Sequence, residues 1–348
     1  MSSAAYRFPA EWEPQSVVQF TLPHPNTDWA EMLDELMPCF VAIIEQVVRF
    51  QAVLLVHPEP ASVRSYFAHL PPDRLHWFAS PTNDTWARDH GGITVLQADG
   101  SPLLLDFQFN GWGLKFPADQ DNQLTARLHQ AGVFGDITHV FPGLVLEGGA
   151  LETDGQGTLL STTECLLSPN RNPHLSLSAT ETALRKWLGI DRFLWLHHGY
   201  LAGDDTDSHI DTLARFCDPE TIAYVRCDDP LDEHYHALRL MEQELETFRQ
   251  GNGRPYRLVA LPWPEACYAA DGHRLPATYA NFLILNGAVL VPTYGVAQDE
   301  AAVAILADCF PDREVIGIHC RALIEQHGSL HCLTMQYPQG VFAGSKLE

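Results

Sequence analysis

The chain of 348 residues lacks several features that would have decided its class at once. No run of about 18 apolar residues occurs, which excludes a bilayer-spanning helix. The eight cysteines, at 39, 165, 217, 227, 267, 309, 320 and 332, form no Cys-x-x-Cys pair, so neither a zinc clip nor a redox dithiol is indicated. Reduced thiols in a cytosolic protein are the simplest reading. The opening MSSAAYRFPAEWEP carries no basic-then-apolar segment, so no secretory signal is expected. Basic side chains are scarce, 21 against 44 acidic ones, giving a formal net charge of -23. Such a field repels phosphate backbones, which argues against a nucleic-acid partner, and it attracts cations. Plain solubility accounts for the same excess equally well.

What is present is a globular composition, 46% hydrophobic and 19% charged. At this length one core nears its limit, so two domains or one fold of repeated modules is expected. Four hairpin candidates, at 94–107, 150–162, 213–225 and 281–293, carry Asp-Gly, Asp-Pro or Asn-Gly turns between apolar flanks. They recur about every sixty residues, a repeat-protein spacing. A helix and a short strand are expected after each. For the second hairpin these are SATETALRKWLG, with a capping box from Ser178 to Glu181 and Gly189 past its end, then 192–196. For the third they are 231–251, with Leu231, Tyr235, Leu238, Met241, Leu245 and Phe248 on one face, then 256–261. For the fourth they are 298–310 and 314–318, and for the first 119–132 and 138–146. A fifth unit would be split: strands 17–22 and 51–57 and the helix of 28–50 at the start, with LHCLTMQY from the far end. Pairing of the two termini would then close a ring. An ordinary two-domain α/β protein remains the alternative.

Each unit of such a ring would deliver one loop to the centre, so chemistry-bearing residues should share the period. Asp89 in NDTWARDHGG, Glu147 in LEGG, and His209 in GDDTDSHIDTLARF are spaced by about sixty residues. Cys332 lies in HGSLHCLTMQYP. His209 and Asp211, two apart, would share a face on a strand, and the carboxylate would favour a protonated imidazole. Asp89 could instead close a salt bridge with Arg88, Glu147 could be a turn residue, and Trp86 could be packing. His209, Asp211 and Glu147 are also legal metal ligands. Surplus acids around a thiol make better sense for a cationic substrate, since a guanidinium offers a planar fork of donors to carboxylates. Those acids should raise the thiol pKa above its usual value of about 8.5, and a bound cation should lower it again.

The segments FPAEWEP, HPNTDWA, NDTWARDHGG, LEGGALETDGQGT, SPNRNP, GDDTDSHIDTLARF, YANFLILNGAVLVPTYG and LHCLTMQYP resemble, in order, the agmatine deiminase and Porphyromonas-type peptidylarginine deiminase family of the pentein superfamily. The resemblance runs from about residue 6 to about 340 and implies a single catalytic domain over the whole chain, a five-bladed α/β propeller with fivefold pseudosymmetry. It implies Cys332 as the nucleophile, His209 as acid and then base, Asp89 and Asp211 as guanidinium grips, and Glu147 as the residue that orients or charge-pairs His209. Trp86 would line the substrate channel. No cofactor is implied. Two departures from the pattern, HGSL before His-Cys and Thr212 after His-x-Asp, bear on loop shape. The missing export signal and the acidic balance favour agmatine, whose distal amine we expect near Asp205. Deimination of arginine or peptidyl-arginine, transfer of the amidino group to an amine, and a non-catalytic binding propeller are the rival readings. A cytoplasmic homo-oligomer, a dimer or larger, away from membranes, completes the expectation.

Overall fold

The computed structural model describes residues 6–344. Its strands form five small sheets of three or four strands each. In four sheets one pattern recurs: an antiparallel hairpin, a helix, then a strand parallel to the second hairpin strand. Ile93–Gln97 and Pro102–Leu105 are followed by Leu124–Gln130 and Thr138–Val140. Glu152–Thr153 and Thr158–Thr162 are followed by Leu177–Leu188 and Arg192–Leu196. Ala214–Asp218 and Thr221–Val225 lead to Tyr235–Thr247 and Arg257–Leu261. Leu283–Leu285 and Ala288–Thr293 lead to Asp299–Cys309 and Glu314–His319. The fifth sheet joins the two ends of the chain. Thr334–Pro338 pairs antiparallel with Gln15–Thr21, which runs parallel to Ala52–His57. All four turn-based hairpins therefore form, as does the split fifth unit.

Several local expectations need correction. Two edge strands, Tyr6–Arg7 and Leu75–Ala79, join the first and fifth sheets. The first is two residues long, and the second is half-buried over its first four residues and exposed at Ala79, so neither carries an alternating pattern. The cap of the second unit's helix is Ser176, whose hydroxyl accepts from the Ala179 N–H, and not Ser178. The third helix begins at Tyr235, because Leu231 is 93% exposed and outside it. The long first helix is Leu33–Val47. His331–Leu333 forms a 3-10 turn, so Cys332 precedes its strand and does not lie within it.

The units are stitched by one fully buried cation. Arg215 donates to Glu152 at 2.6 Å, to Glu11 at 2.7 Å and to the Phe282 carbonyl at 2.8 Å, which ties the N-terminal segment to three sheets. Both carboxylates lie in the interior, where an unpaired charge is costly. Among the described residues no helix is long and apolar enough to cross a membrane. Replacing Arg215 by Ala strands two buried acids, and urea unfolding of the variant should show a loss of about 3–5 kcal/mol; a loss under about 1 kcal/mol would contradict this role.

Candidate active site

Four single-turn helices converge where strands begin. They are Ala87–His90, Gly148–Ala150, Ile210–Thr212 and His331–Leu333, and they touch one another. Each stands just before the first hairpin strand of its sheet, or before the equivalent Thr334–Pro338. Asp89, Glu147, His209, Asp211 and Cys332 sit on or beside these turns, all buried. The remaining unit, the fourth hairpin, contributes Asn281, two residues ahead of Leu283–Leu285, and its amide N–H lies 3.3 Å from the Cys332 sulfur. Its Oδ1 accepts the backbone N–H groups of His331 at 2.9 Å and Cys332 at 3.3 Å, which fixes which end of the amide faces sulfur. The sixty-residue spacing points to this region, but Asn281 in YANF was not singled out from sequence.

Gly149 is the pivot of the arrangement. A Cβ there would stand 2.5 Å from His209 Nδ1, 2.8 Å from Asp89 Oδ1 and 3.3 Å from Asp211 Oδ1. Three polar groups from two other units therefore crowd the space that a side chain would take, and only glycine admits them. Asp89 Oδ1 accepts the Gly149 N–H at 3.0 Å and Oδ2 accepts Trp112 Nε1 at 2.9 Å. The alternative salt bridge with Arg88 does not form; Arg88 reaches towards Glu11 at 4.0 Å. Asp211 Oδ2 lies 2.7 Å from His331 Nδ1 and 3.7 Å from the Cys332 sulfur, while its Oδ1 has no hydrogen-bond partner in the chain. Neither ring nitrogen of His209 has a partner within hydrogen-bonding geometry, although Asp89 Oδ1 is 3.5 Å from Nδ1.

Burial dominates the electrostatics. It pushes the Cys332 thiol well above the ordinary range, and Asp211 and Asp89 push it further. This matches the sign expected from sequence. Burial and the charge of Asp211 raise the Asp89 carboxyl, against its two hydrogen bonds. Burial also pulls His209 down to about 3, overcoming the attraction of Asp211, so the expected protonated imidazole is a neutral one. Asp211 goes the other way: burial pushes it up, but the hydrogen bond and charge of His331 leave it below the usual carboxylate range. His209 and Asp211 also share no strand; His209 caps the 3-10 turn that carries Asp211.

Glu147 does not take His209 as its partner. Both of its oxygens accept from Arg171 Nε, at 2.9 and 2.8 Å. Arg171, from SPNRNP, also bonds Asp207 and the Thr206 carbonyl beside His209. Polar atoms of Glu147, Cys165 and His209 fall within 4.8 Å of one another, so the metal-capable trio includes Cys165 and leaves out Asp211. The carboxylate that a divalent ion would need there already holds a guanidinium.

Above Cys332 opens a pocket of about 400 Å³ walled by Trp86, Trp112 and Phe116 and rimmed by Asp28, Asp84 and Asp205. Gly328 lets Trp86 in: a Cβ there would meet the indole at 2.4 Å. Asp84 is raised to about 6, mainly by burial. Asp205 is 40% exposed at the rim, 3.5 Å from His327. No lysine or arginine is among the residues lining this pocket.

Residues 7–338 match the Porphyromonas-type peptidyl-arginine deiminase family, and the chain belongs to it. The agmatine deiminase of Ectopseudomonas mendocina is 32% identical, over 96% of this chain and 95% of its own. Among solved structures, C. jejuni agmatine deiminase with substrate bound is 36% identical with a TM-score of 0.90, covering 97% of each chain. A Porphyromonas gingivalis protein provisionally named arginine deiminase is 57% identical, TM-score 0.92, over 97% of this chain and 99% of its own. The mixed α/β fold is that of the pentein-type deiminases.

Gly149→Ala should cost about 1–3 kcal/mol in stability by overpacking and, in a protein that still folds, lower kcat/KM by about 100-fold or more, because it displaces His209, Asp89 and Asp211 together. Full turnover in this variant would contradict the convergence described.

Proposed function

We propose that the protein is an agmatine deiminase, a hydrolase that converts agmatine and water to N-carbamoylputrescine and ammonia, a step towards putrescine. The observation that carries the reading is the thiol of Cys332, held 3.7 Å from Asp211, whose second oxygen is unpartnered and shares one small space with Asp89. Such a site lacks only a planar cation. A guanidinium donates to Asp211 Oδ1 and Asp89, each charge-assisted bond contributing about 1.5–3 kcal/mol. Its positive charge offsets the burial that keeps the thiol neutral.

In this mechanism the bound guanidinium favours ionisation of Cys332, the neutral His209 takes the thiol proton, and the thiolate then attacks the guanidinium carbon. Asn281 donates to the sulfur as it gains charge. His209 then passes that proton to one amino nitrogen, the C–N bond breaks and ammonia leaves, with an S-alkylthiouronium on Cys332. Neutral again, His209 takes a proton from water, whose oxygen bonds to the carbon. The C–S bond breaks, the sulfur recovers a proton from His209, and the ureido product departs; the excess proton leaves with ammonia as ammonium. Glu147 acts at one remove, by holding Arg171 beside the Thr206–Asp207 segment that leads into His209.

The aromatic walls suit a short alkyl chain, with Trp86 and Trp112 flanking it. The acidic rim, Asp205 with Asp28 and Asp84, suits a distal ammonium. Arginine or peptidyl-arginine is the second reading, favoured by the family name and by the P. gingivalis relative; the lining described offers no cationic side chain to a carboxylate. We further propose that the five sheets are blades of a propeller around the site, closed by the pairing of Gln15–Thr21 with Thr334–Pro338, as one domain in a cytoplasmic homo-oligomer.

A ureido assay with agmatine, arginine and an arginyl peptide tests the reading. Agmatine should be the best substrate, and Cys332→Ser should lose about three orders of magnitude or more in kcat. Activity surviving in the Ser variant would overturn the nucleophile, and preference for the peptide would overturn the substrate.

A further inference from the structure

Between Asp211 and Glu11 stands a histidine that the proposed steps do not use. His331 is 2% exposed, its Nδ1 is 2.7 Å from Asp211 Oδ2, and its Nε2 is 2.8 Å from Glu11 Oε2. A neutral imidazole has a single N–H, so two such contacts need two protons shared among the three groups. The far end is anchored. Glu11 Oε2 also accepts Arg215 at 2.7 Å, and its Oε1 accepts the Ile284 N–H at 2.7 Å. The near end is anchored too, because the His331 backbone N–H is held by Asn281 Oδ1 at 2.9 Å. The ring is thus fixed at both nitrogens and at its own backbone.

Asp211 shows the consequence. One oxygen is bound to His331 and the other, Oδ1, is buried and free. A carboxylate with no hydrogen bond could rotate about its Cβ–Cγ bond, and the contact with His331 sets its plane. We infer that His331 is a positioning residue: it grips Oδ2 of Asp211, so that Oδ1 is aimed at the guanidinium, while Glu11 and Arg215 brace the ring from behind. The inference rests on the deiminase reading and deepens it.

The charged groups facing His331 are Asp211 on the turn Ile210–Thr212, Glu11 on the N-terminal segment, Arg215 on Ala214–Asp218 and Arg88 on Ala87–His90; the Cys332 thiol adjoins it on its own turn. Burial and the two guanidinium groups draw the ring towards its neutral form, and the two carboxylates draw it back. For Asp211 the sign is clear. Its hydrogen bond from His331 opposes burial and holds the carboxyl below its ordinary range, so losing that bond moves its ionisation to higher pH.

Two substitutions separate the ends of the ring. His331→Asn places an amide N–H where Nδ1 stands and keeps the grip on Asp211; His331→Gln reaches the Nε2 position and keeps only the contact with Glu11. The readouts are kcat and KM for agmatine across pH, and the rate of Cys332 alkylation by chloroacetamidine, an amidinium, relative to neutral iodoacetamide. The Asn variant should stay within about threefold of wild type in both. The Gln variant should lose roughly 10- to 100-fold in kcat/KM, with its acid limb moved to higher pH and its amidinium preference reduced by a similar factor. Equal losses in the two variants, with an unmoved acid limb and unchanged reagent preference, would reduce His331 to a packing residue and overturn the inference. A large loss in the Asn variant overturns it as well, even if the Gln variant fails to fold. The reagent preference needs no turnover, so the two failures are distinguishable: a wild type that deiminates no guanidino compound sinks the functional reading, while the preferences of the two variants report separately on whether His331 aims Asp211 at a cation.

Discussion

Desolvation of Cys332 and the acids beside it is the constraint on which the rest of the structure depends. Buried together without a cation, the thiol, Asp89 and His209 are all driven to their neutral forms, and only Asp211 is held ionised by a dedicated partner. The free site is therefore chemically quiet. A unit charge about 4 Å away, at an effective dielectric near 20, changes an ionisation by about 4 kcal/mol, roughly a thousandfold. An arriving guanidinium therefore pulls Asp89 towards its carboxylate and Cys332 towards its thiolate, against the burial that raises both. A neutral amide or a water molecule brings no such charge, so the site discriminates before any bond is made.

The fold serves this by bringing one strand-opening turn from each of five sheets to one point. Asp89, the Glu147–Gly149 segment, His209 with Asp211, Asn281 and Cys332 come from five units. Arg215, fully buried, links the N-terminal segment to this centre through Glu11 and His331. Packing and chemistry thus share residues: Glu152, Arg215, Glu11, His331 and Asp211 form one hydrogen-bonded chain into the centre.

Much of this was readable before any coordinates, for reasons specific to particular residues. The hairpins at Asp99-Gly100, Asp154-Gly155, Asp218-Pro219 and Asn286-Gly287 are written in local turn chemistry, which tertiary contacts do not override. The shared period finds three of the five contributions, Asp89, Glu147 and His209, and Cys332 stands out by its own segment. Asn281 escaped because its role lies entirely in its distance to Cys332, and an asparagine before a strand otherwise reads as a turn residue. The charge of His209 was misjudged because a neighbouring carboxylate is visible in sequence and complete burial is not. The charge pair expected between Glu147 and His209 does not form, because the fold brings Arg171, 24 residues away, to both Glu147 oxygens.

The most direct test is the ultraviolet thiolate absorbance of Cys332, taken as the difference between His209→Asn and the same protein carrying Cys332→Ser, with and without agmatine at neutral pH. In the proposed mechanism the absence of His209 stalls turnover and leaves the ionisation to be read at equilibrium. The account predicts no thiolate signal in the free protein and a clear one once agmatine is bound. A thiolate already present without the cation would contradict it.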